Sequence, residues 1–129
     1  MTKTKSNQYQ IVIDVITRYL EEQSIPDLRR FVFAYTIRVR NGGAVAAKLM
    51  SRHWVITDSN GKIEEVFGNG VVGKQPFLNP GEEFVYTSGA ILETPVGTMK
   101  GTYDMVTNDG IHFTADIPIF TLSIPRTLH

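Results

Sequence analysis

Apolar and polar residues alternate with a period of two along most of the chain. In the clearest run, residues 31–40, every odd position is apolar and the even positions from Thr36 onward are polar or charged. Because successive side chains of a strand point to opposite faces, this pattern predicts a strand with one buried and one solvated face. No convincing period of 3.6 is found, so the sequence predicts an all-β domain.

The same alternation, bounded by turn residues, predicts six further strands. They are expected at residues 11–19, 48–57, 62–67, 83–87, 99–106 and 113–122. The last two are separated by Asn108-Asp109-Gly110, which is a strong hairpin signal. Seven short strands with turn signals between them predict an antiparallel sandwich or barrel.

Three residues favour an immunoglobulin/fibronectin-III-like β-sandwich of about seven antiparallel strands. Trp54 falls in the third predicted strand, where immunoglobulin-like domains place a core tryptophan. Tyr103 precedes Met105 by two residues, the spacing at which a corner tyrosine precedes the second cysteine of such domains. The absence of cysteine fits the disulfide-free, fibronectin-III-like variants.

Length and charge narrow the class of protein further. The 129 residues fit one domain, which we place at 9–129 after a flexible N-terminus at 1–8. Thirteen basic residues balance thirteen acidic ones, which argues against general nucleic-acid binding. The polar N-terminus leads into no signal segment, and the apolar runs are too short to cross a bilayer. We therefore expect a cytoplasmic protein without membrane contact.

A set of short motifs occurs in a characteristic order along the chain. They occupy residues 51–54, 56–58, 68–76, 79–81, 86–89, 97–103 and 117–122. With these motifs the chain resembles the bacterial ApaG family, also called CorD, over essentially its whole length. The resemblance implies a fibronectin-III-like sandwich, in agreement with the strand pattern.

The resemblance implies less about function. One family name comes from a gene near a diadenosine tetraphosphate hydrolase, and the other from a link to cobalt and magnesium resistance. Related domains in eukaryotic F-box proteins and in a polymerase-interacting protein look like protein-interaction modules. No agreed biochemical activity comes with the family, so the resemblance implies a binding module rather than an enzyme.

The segment 68–73 matches the dinucleotide-binding fingerprint letter for letter, with Gly68, Gly70 and Gly73 at its glycine positions. That fingerprint requires a following helix, and the Pro- and Gly-containing stretch 76–81 leaves no room for one. Backbone N–H groups of such a loop can still form an anion nest, with Lys74 adding a positive charge. The favoured alternative is a tight connection that uses glycine for its positive φ angles.

Arg52 is a second candidate for the anion site because it interrupts the alternation. It shares a strand face with Trp54, which we expect to be buried. A β-bulge near Ser51 would re-aim Arg52, or a carboxylate would cap it at the rim of the sandwich. Arg38 and Arg40 are interpreted as an exposed charged face, with a phosphate-binding stripe as the alternative.

Metal and catalytic motifs are not found in the sequence. His53, His112 and His129 lie in different segments without a metal-binding spacing. His112 and Asp116 share a strand face at about 13 Å, too far apart to chelate one ion. Ser88 has no identifiable base beside it. We predict no metal site, no cofactor and no catalytic residue.

Two functions of different classes follow from these observations, and protein interaction ranks first. An unidentified protein partner would bind a sheet edge or an apolar patch. Phe77, Leu78 and Phe120 are candidates for such a patch, and each is also an ordinary core candidate. The alternative is a phosphorylated small molecule, such as a nucleotide or pyrophosphate, held by the 68–73 loop. That alternative would link the chain to dinucleoside polyphosphate metabolism or cobalt/magnesium resistance, and a hydrolase of such polyphosphates is suggested by gene association alone. We also expect open edge strands to pair two copies into a homodimer.

Overall fold

In the computed structural model, which describes residues 8–125, every long element is a β-strand. The strands are β1 Ile11–Tyr19, β2 Phe31–Asn41, β3 Ala47–Asp58, β4 Ile63–Asn69, β5 Phe77–Leu78, β6 Glu83–Leu92, β7 Val96–Thr107 and β8 His112–Ser123. Two single-turn 3-10 helices, Glu21–Gln23 and Pro26–Leu28, connect β1 to β2. No helix within residues 8–125 is long and apolar enough to cross a membrane. The predicted flexible segment lies, apart from Gln8, outside the described residues.

The strands form two antiparallel sheets that pack face to face, which confirms the predicted sandwich. The small sheet has the order β1-β2-β6, and the large sheet has the order β4-β3-β7-β8. β5 pairs with the first two residues of β3, at the end that β4 leaves free. The edge strands are therefore β1 and β6 in the small sheet and β4 and β8 in the large sheet.

The core lies between the sheets and is built from the inward positions that the alternation predicts. Phe33, Ile37 and Val39 of β2 are fully buried. Trp54 is 2% exposed, and its ring packs edge-on against Tyr35, with 5.5 Å between ring centroids. The core tryptophan is thus confirmed.

Tyr103 and Met105 are also fully buried, as the comparison with immunoglobulin-like domains predicts. The hydroxyl of Tyr103 has a different partner from a corner tyrosine, which bonds to backbone. It is hydrogen-bonded to the hydroxyl of Tyr86 on the opposite sheet.

Most predicted strand ends differ by one to three residues from the observed ones, and two differences are larger. The strand predicted at 83–87 continues to Leu92, because Ser88 and Gly89 keep their register with β2. The two-residue β5 was not predicted, since Phe77–Leu78 lies in a stretch rich in glycine and proline.

Two β-bulges shape the large sheet. One interrupts the pairing of β3 with β7 between Leu49 and Ser51, where a bulge was predicted. The other lies between β7 and β8, where Pro118 and Ile119 stand opposite the single residue Lys100. Proline is tolerated within a strand at such a bulge because a ladder hydrogen bond is already missing there.

Candidate functional site

The predicted glycine loop connects β4 to β5, and the backbone amides of Gly70, Val71 and Lys74 donate to carbonyls. Gly70 N donates to Met50 O at 2.8 Å, which fastens the start of the loop to the bulge of β3. Val71 and Lys74 exchange two backbone hydrogen bonds of 2.8 and 2.9 Å. Residues 71–74 therefore form a two-residue hairpin turn.

Backbone geometry explains why glycine occupies position 73 in this turn and position 70 just before it. Gly70 and Gly73 have φ angles of 63° and 79°, and Val72 between them has a φ of 43°. Consecutive positive φ angles at the two central residues are typical of a type I′ hairpin turn. At Gly70 a Cβ atom would lie 2.3 Å from Lys74 O, so any side chain would overlap the backbone.

Arg52 lies directly against the first part of this loop. A Cβ atom at Gly68 would be 2.6 Å from Arg52 Nη1, so a larger residue there would require the guanidinium to move. Arg52 Nη1 donates to Gly70 O at 2.8 Å and to Asn69 O at 3.2 Å. The cap of Arg52 is thus formed by loop carbonyls, and the predicted carboxylate cap is wrong.

The structure therefore brings together Arg52, Gly68 and Gly70 from the predicted anion site, while Gly73 and Lys74 lie exposed at the turn. The amides of Gly70, Val71 and Lys74 are already bonded to carbonyls, which favours the backbone-geometry interpretation. The anion site stays a prediction that a binding measurement can test.

A second region of interest is the solvent side of the large sheet, which we call the outer face. His53 on β3 points to this side because its neighbour Trp54 points to the core. The His53 ring stacks on Phe67 of β4 with 4.1 Å between centroids and 3° between planes. His53 Nε2 also contacts Glu65 Oε1 at 2.8 Å. The imidazole is therefore held from two directions while Phe67 remains 70% exposed.

The outer face contains a cleft of about 430 Å³. The side chains that line it belong to His53, Val55, Lys100, Thr102, Asp116 and Ile119. The bulge at Pro118 places Ile119 on this side, since Ile117 and Phe120 on either side of the bulge pack toward the core. Ile119 is 63% exposed, so an apolar residue forms one wall of an open cleft.

A smaller cleft of about 230 Å³ adjoins the first, because both share His53 and Thr102. Asp104 lines this smaller cleft and contacts His112 Nδ1 at 3.1 Å. His112 thus pairs with a carboxylate of the neighbouring strand, whereas Asp116 lines the larger cleft. Within residues 8–125 no three His, Asp or Glu side chains are grouped closely enough to hold a metal ion.

Comparisons with known proteins decide the family. The family model described as the ApaG domain matches residues 21–107. The Protein ApaG of Thiobacillus denitrificans is 60% identical over 125 residues, covering 97% of this chain and 98% of that relative. The chain belongs to the ApaG family. The Protein ApaG of Dechloromonas aromatica is 56% identical over 124 residues, covering 96% of this chain and 98% of the relative.

A crystal structure from Bordetella pertussis, of a protein given the name ApaA, has the same fold as this ApaG-family chain. The TM-score is 0.90 and the sequence identity is 50%, with 94% of this chain and 98% of that chain covered. The family resemblance noted in the sequence is thereby confirmed, and the fold is shared with that relative.

Of the three residues considered for an apolar patch, Leu78 and Phe120 follow the alternative interpretation and pack into the core of this ApaG-family chain. Leu78 is 3% exposed, and Phe120 packs against Trp54 with 5.8 Å between ring centroids. Both belong to the core because they lie on the inward faces of β5 and β8, and only Phe77, at 43%, is exposed. The exposed charged face predicted for β2 is confirmed, since Arg38 and Arg40 are both exposed.

The residues of the outer face were missed by sequence reasoning. The signal for His53 and Val55 was present, because they are out of phase with the buried Trp54. Ile119 had no such signal, since the bulge shifts the phase of β8 at Pro118.

Proposed function

We propose that this ApaG-family chain is a non-catalytic protein-interaction module that binds its partner on the outer face of the large sheet. The observation that carries the proposal is the open cleft lined by Val55 and Ile119, which places apolar side chains on a surface that strand alternation would make polar.

The composition of the outer face supports this proposal. Ile119 on β8 and Phe67 on β4 are apolar residues of this face that are 63% and 70% exposed. Lys100 and Asp116 line the cleft with opposite charges, and the strand register places Lys100 between Val55 and Ile119. Exposed apolar residues interspersed with a few charged ones often mark protein-interaction sites.

The rigidity of the outer face also supports it. Val55 and Thr102 lie on the two central strands of the large sheet, and His53 is fixed by its stacking on Phe67 and by its contact with Glu65. A surface that is already ordered loses little conformational entropy when a partner binds.

The charges around the cleft indicate the chemistry of the partner segment. An apolar side chain of the partner would pack against Val55, Ile119 and the methylene stem of Lys100 between them, where it would be removed from water. An acidic group of the partner would face Lys100, and a basic or hydrogen-bond-donating group would face Asp116.

The alternative of a phosphate- or nucleotide-binding protein has less support. Its site would consist of the 68–73 loop with Lys74 and Arg52, whose guanidinium already donates to loop carbonyls. Fewer N–H groups are free to bind an anion, because the amides of Gly70, Val71 and Lys74 already donate to carbonyls.

Site-specific crosslinking in the native cell tests the proposal. A photoreactive amino acid at Ile119 should give a discrete crosslinked protein, whereas the same residue at Ile16, which is 72% exposed on the small sheet, should not. Identical products from both positions, or none from Ile119, would show that the outer face is not the binding surface.

A further inference from the structure

Edge strand β6 differs from the three other edge strands in its chemistry. Natural edge strands are protected against pairing by charges, prolines or bulges. β1 carries Asp14 and Arg18, β4 carries Glu64 and Glu65, and β8 carries Pro118 at its bulge. β6 has none of these after its first residue.

The run from Phe84 to Leu92 contains nine residues without charge or proline. Its register with β2 is continuous from Glu83 to Leu92, without a bulge. Within residues 8–125, β2 is the only strand that pairs with β6. The edge is therefore long, regular and chemically unprotected.

The hydrogen-bonding groups on the open side of β6 follow from the pairing with β2. Asn41 N donates to Glu82 O at 2.9 Å, in continuation of the β2–β6 register. Hydrogen-bonded and non-hydrogen-bonded pairs alternate along an antiparallel ladder, so even-numbered residues of β6 bond to β2. The N–H and C=O groups that face the open side are those of Val85, Thr87, Gly89 and Ile91.

The space beside this edge is open. A cleft of about 430 Å³ lies beside β6. Its lining includes the apolar residues Val66, Ile56 and Ala90 and the polar residues Gln23, Arg30 and Glu64. Val85 and Ile91 are each 50% exposed on the solvent side of the small sheet. Apolar surface is thus available on both sides of the open edge.

We propose that β6 pairs antiparallel with β6 of a second copy of this chain, about a twofold axis at Ser88. Ser88 is the midpoint of the uncharged run, so this register sets every residue of the run against another uncharged residue. Val85 lies opposite Ile91 of the second copy, which covers both exposed side chains. The small sheets of the two copies become one continuous six-stranded sheet.

Charges at the ends of β6 are tolerated in this arrangement. Glu83 Oε1 lies 3.7 Å from Arg38 Nε, and Glu93 Oε1 lies 3.4 Å from Lys62 Nζ. The register sets Glu83 opposite Glu93 of the second copy, and directly opposite like charges repel each other. Arg38 and Lys62, which already contact these carboxylates, offset that repulsion.

This inference is independent of the proposed partner site, because β6 belongs to the small sheet and the outer face to the large one. Its test uses the absence of native cysteine, so that a single introduced cysteine is unique. Ser88→Cys should form a disulfide-linked dimer under mild oxidation, since directly opposite residues of a non-hydrogen-bonded pair lie within disulfide distance. Val85→Cys and Ile16→Cys should not form a disulfide, because the proposed twofold axis holds the two equivalent cysteines of each variant far apart.

Sedimentation of the full chain provides a second measurement. Wild type and Thr87→Ala should be dimers at micromolar concentration, and Thr87→Pro, which lacks one open-side N–H, should be monomeric with an unchanged β-sheet spectrum. A monomeric wild type, or crosslinking of Ile16→Cys as fast as Ser88→Cys, would overturn the inference. Faster crosslinking of Val85→Cys than of Ser88→Cys would overturn the register at Ser88.

Discussion

The phenol of Tyr86 on β6 and the phenol of Tyr103 on β7 are hydrogen-bonded to each other across the interior of the sandwich. The two hydroxyls thereby connect the small sheet to the large sheet. Burial raises the pKa of Tyr86 to about 12, in spite of the hydrogen bond from Tyr103, which favours the phenolate. Burial, together with the neighbouring Tyr86, raises the pKa of Tyr103 well above its ordinary value.

These two pKa shifts predict that the fold loses stability in alkali. The unfolded chain releases the phenol protons near the ordinary pKa of 10, whereas the folded chain retains them to about pH 12 or beyond. The titration of these two phenols should therefore leave the free energy of unfolding unaffected below pH 10. Above it the free energy should fall by about 1.4 kcal/mol per pH unit for each phenol.

Urea unfolding at pH 8 to 12 checks this prediction, with the Tyr86→Phe/Tyr103→Phe double variant as control. The double variant removes both hydroxyls, so no buried partner is left unpaired. Its stability should depend less steeply on alkaline pH. An equal slope for wild type and double variant would contradict the role assigned to the pair.

Replacement of Trp54 by alanine tests the assignment of the core. Trp54 is 2% exposed and packs edge-on against both Tyr35 and Phe120. We expect Trp54→Ala to lose about 3–5 kcal/mol of stability, which would unfold or severely weaken the domain. Thermal melting followed by circular dichroism measures the loss, and a wild-type melting temperature would refute the assignment.

The strands were predictable because alternation and turn signals agree along most of the chain. β1 was predicted at the residues it occupies, and Trp54 was assigned to the core from its position in β3. Two features could not be predicted from the sequence: the change of phase at the bulges and the hydrogen-bond partners in the glycine loop. A bulge changes the phase of a strand, so the outward position of Ile119 could not be inferred from its neighbours. The partner of the Gly70 amide is the carbonyl of Met50, which is distant in sequence.

The glycine loop provides a matched pair of variants. Gly70 and Gly73 both have positive φ, but only at Gly70 would a Cβ atom meet backbone, at 2.3 Å from Lys74 O. Gly73→Ala should cost about 1–2 kcal/mol from the φ angle alone. Gly70→Ala should cost about 1–3 kcal/mol more, because the overlap forces the backbone to move. Equal melting temperatures for the two variants would show that the turn is not fixed as described.

Calorimetry with pyrophosphate decides the anion-site hypothesis. Because the amides of Gly70, Val71 and Lys74 already have carbonyl partners, we expect no binding heat at millimolar pyrophosphate or ATP. Binding by wild type that falls about ten- to hundredfold in Lys74→Ala would instead establish a charge-assisted anion site at the loop.

Binding to the outer face is the central claim, and one affinity measurement tests it most directly. The protein crosslinked through Ile119 is purified, and its Kd is measured with wild type, Ile119→Glu and Ile16→Glu. These two isoleucines are similarly exposed, at 63% and 72%, on different sheets. A carboxylate in the cleft beside Val55 should weaken binding at least about tenfold, a loss of about 1.4 kcal/mol, and the change at Ile16 should leave Kd unaltered. Unchanged affinity for Ile119→Glu, or equal losses for both variants, would contradict the account.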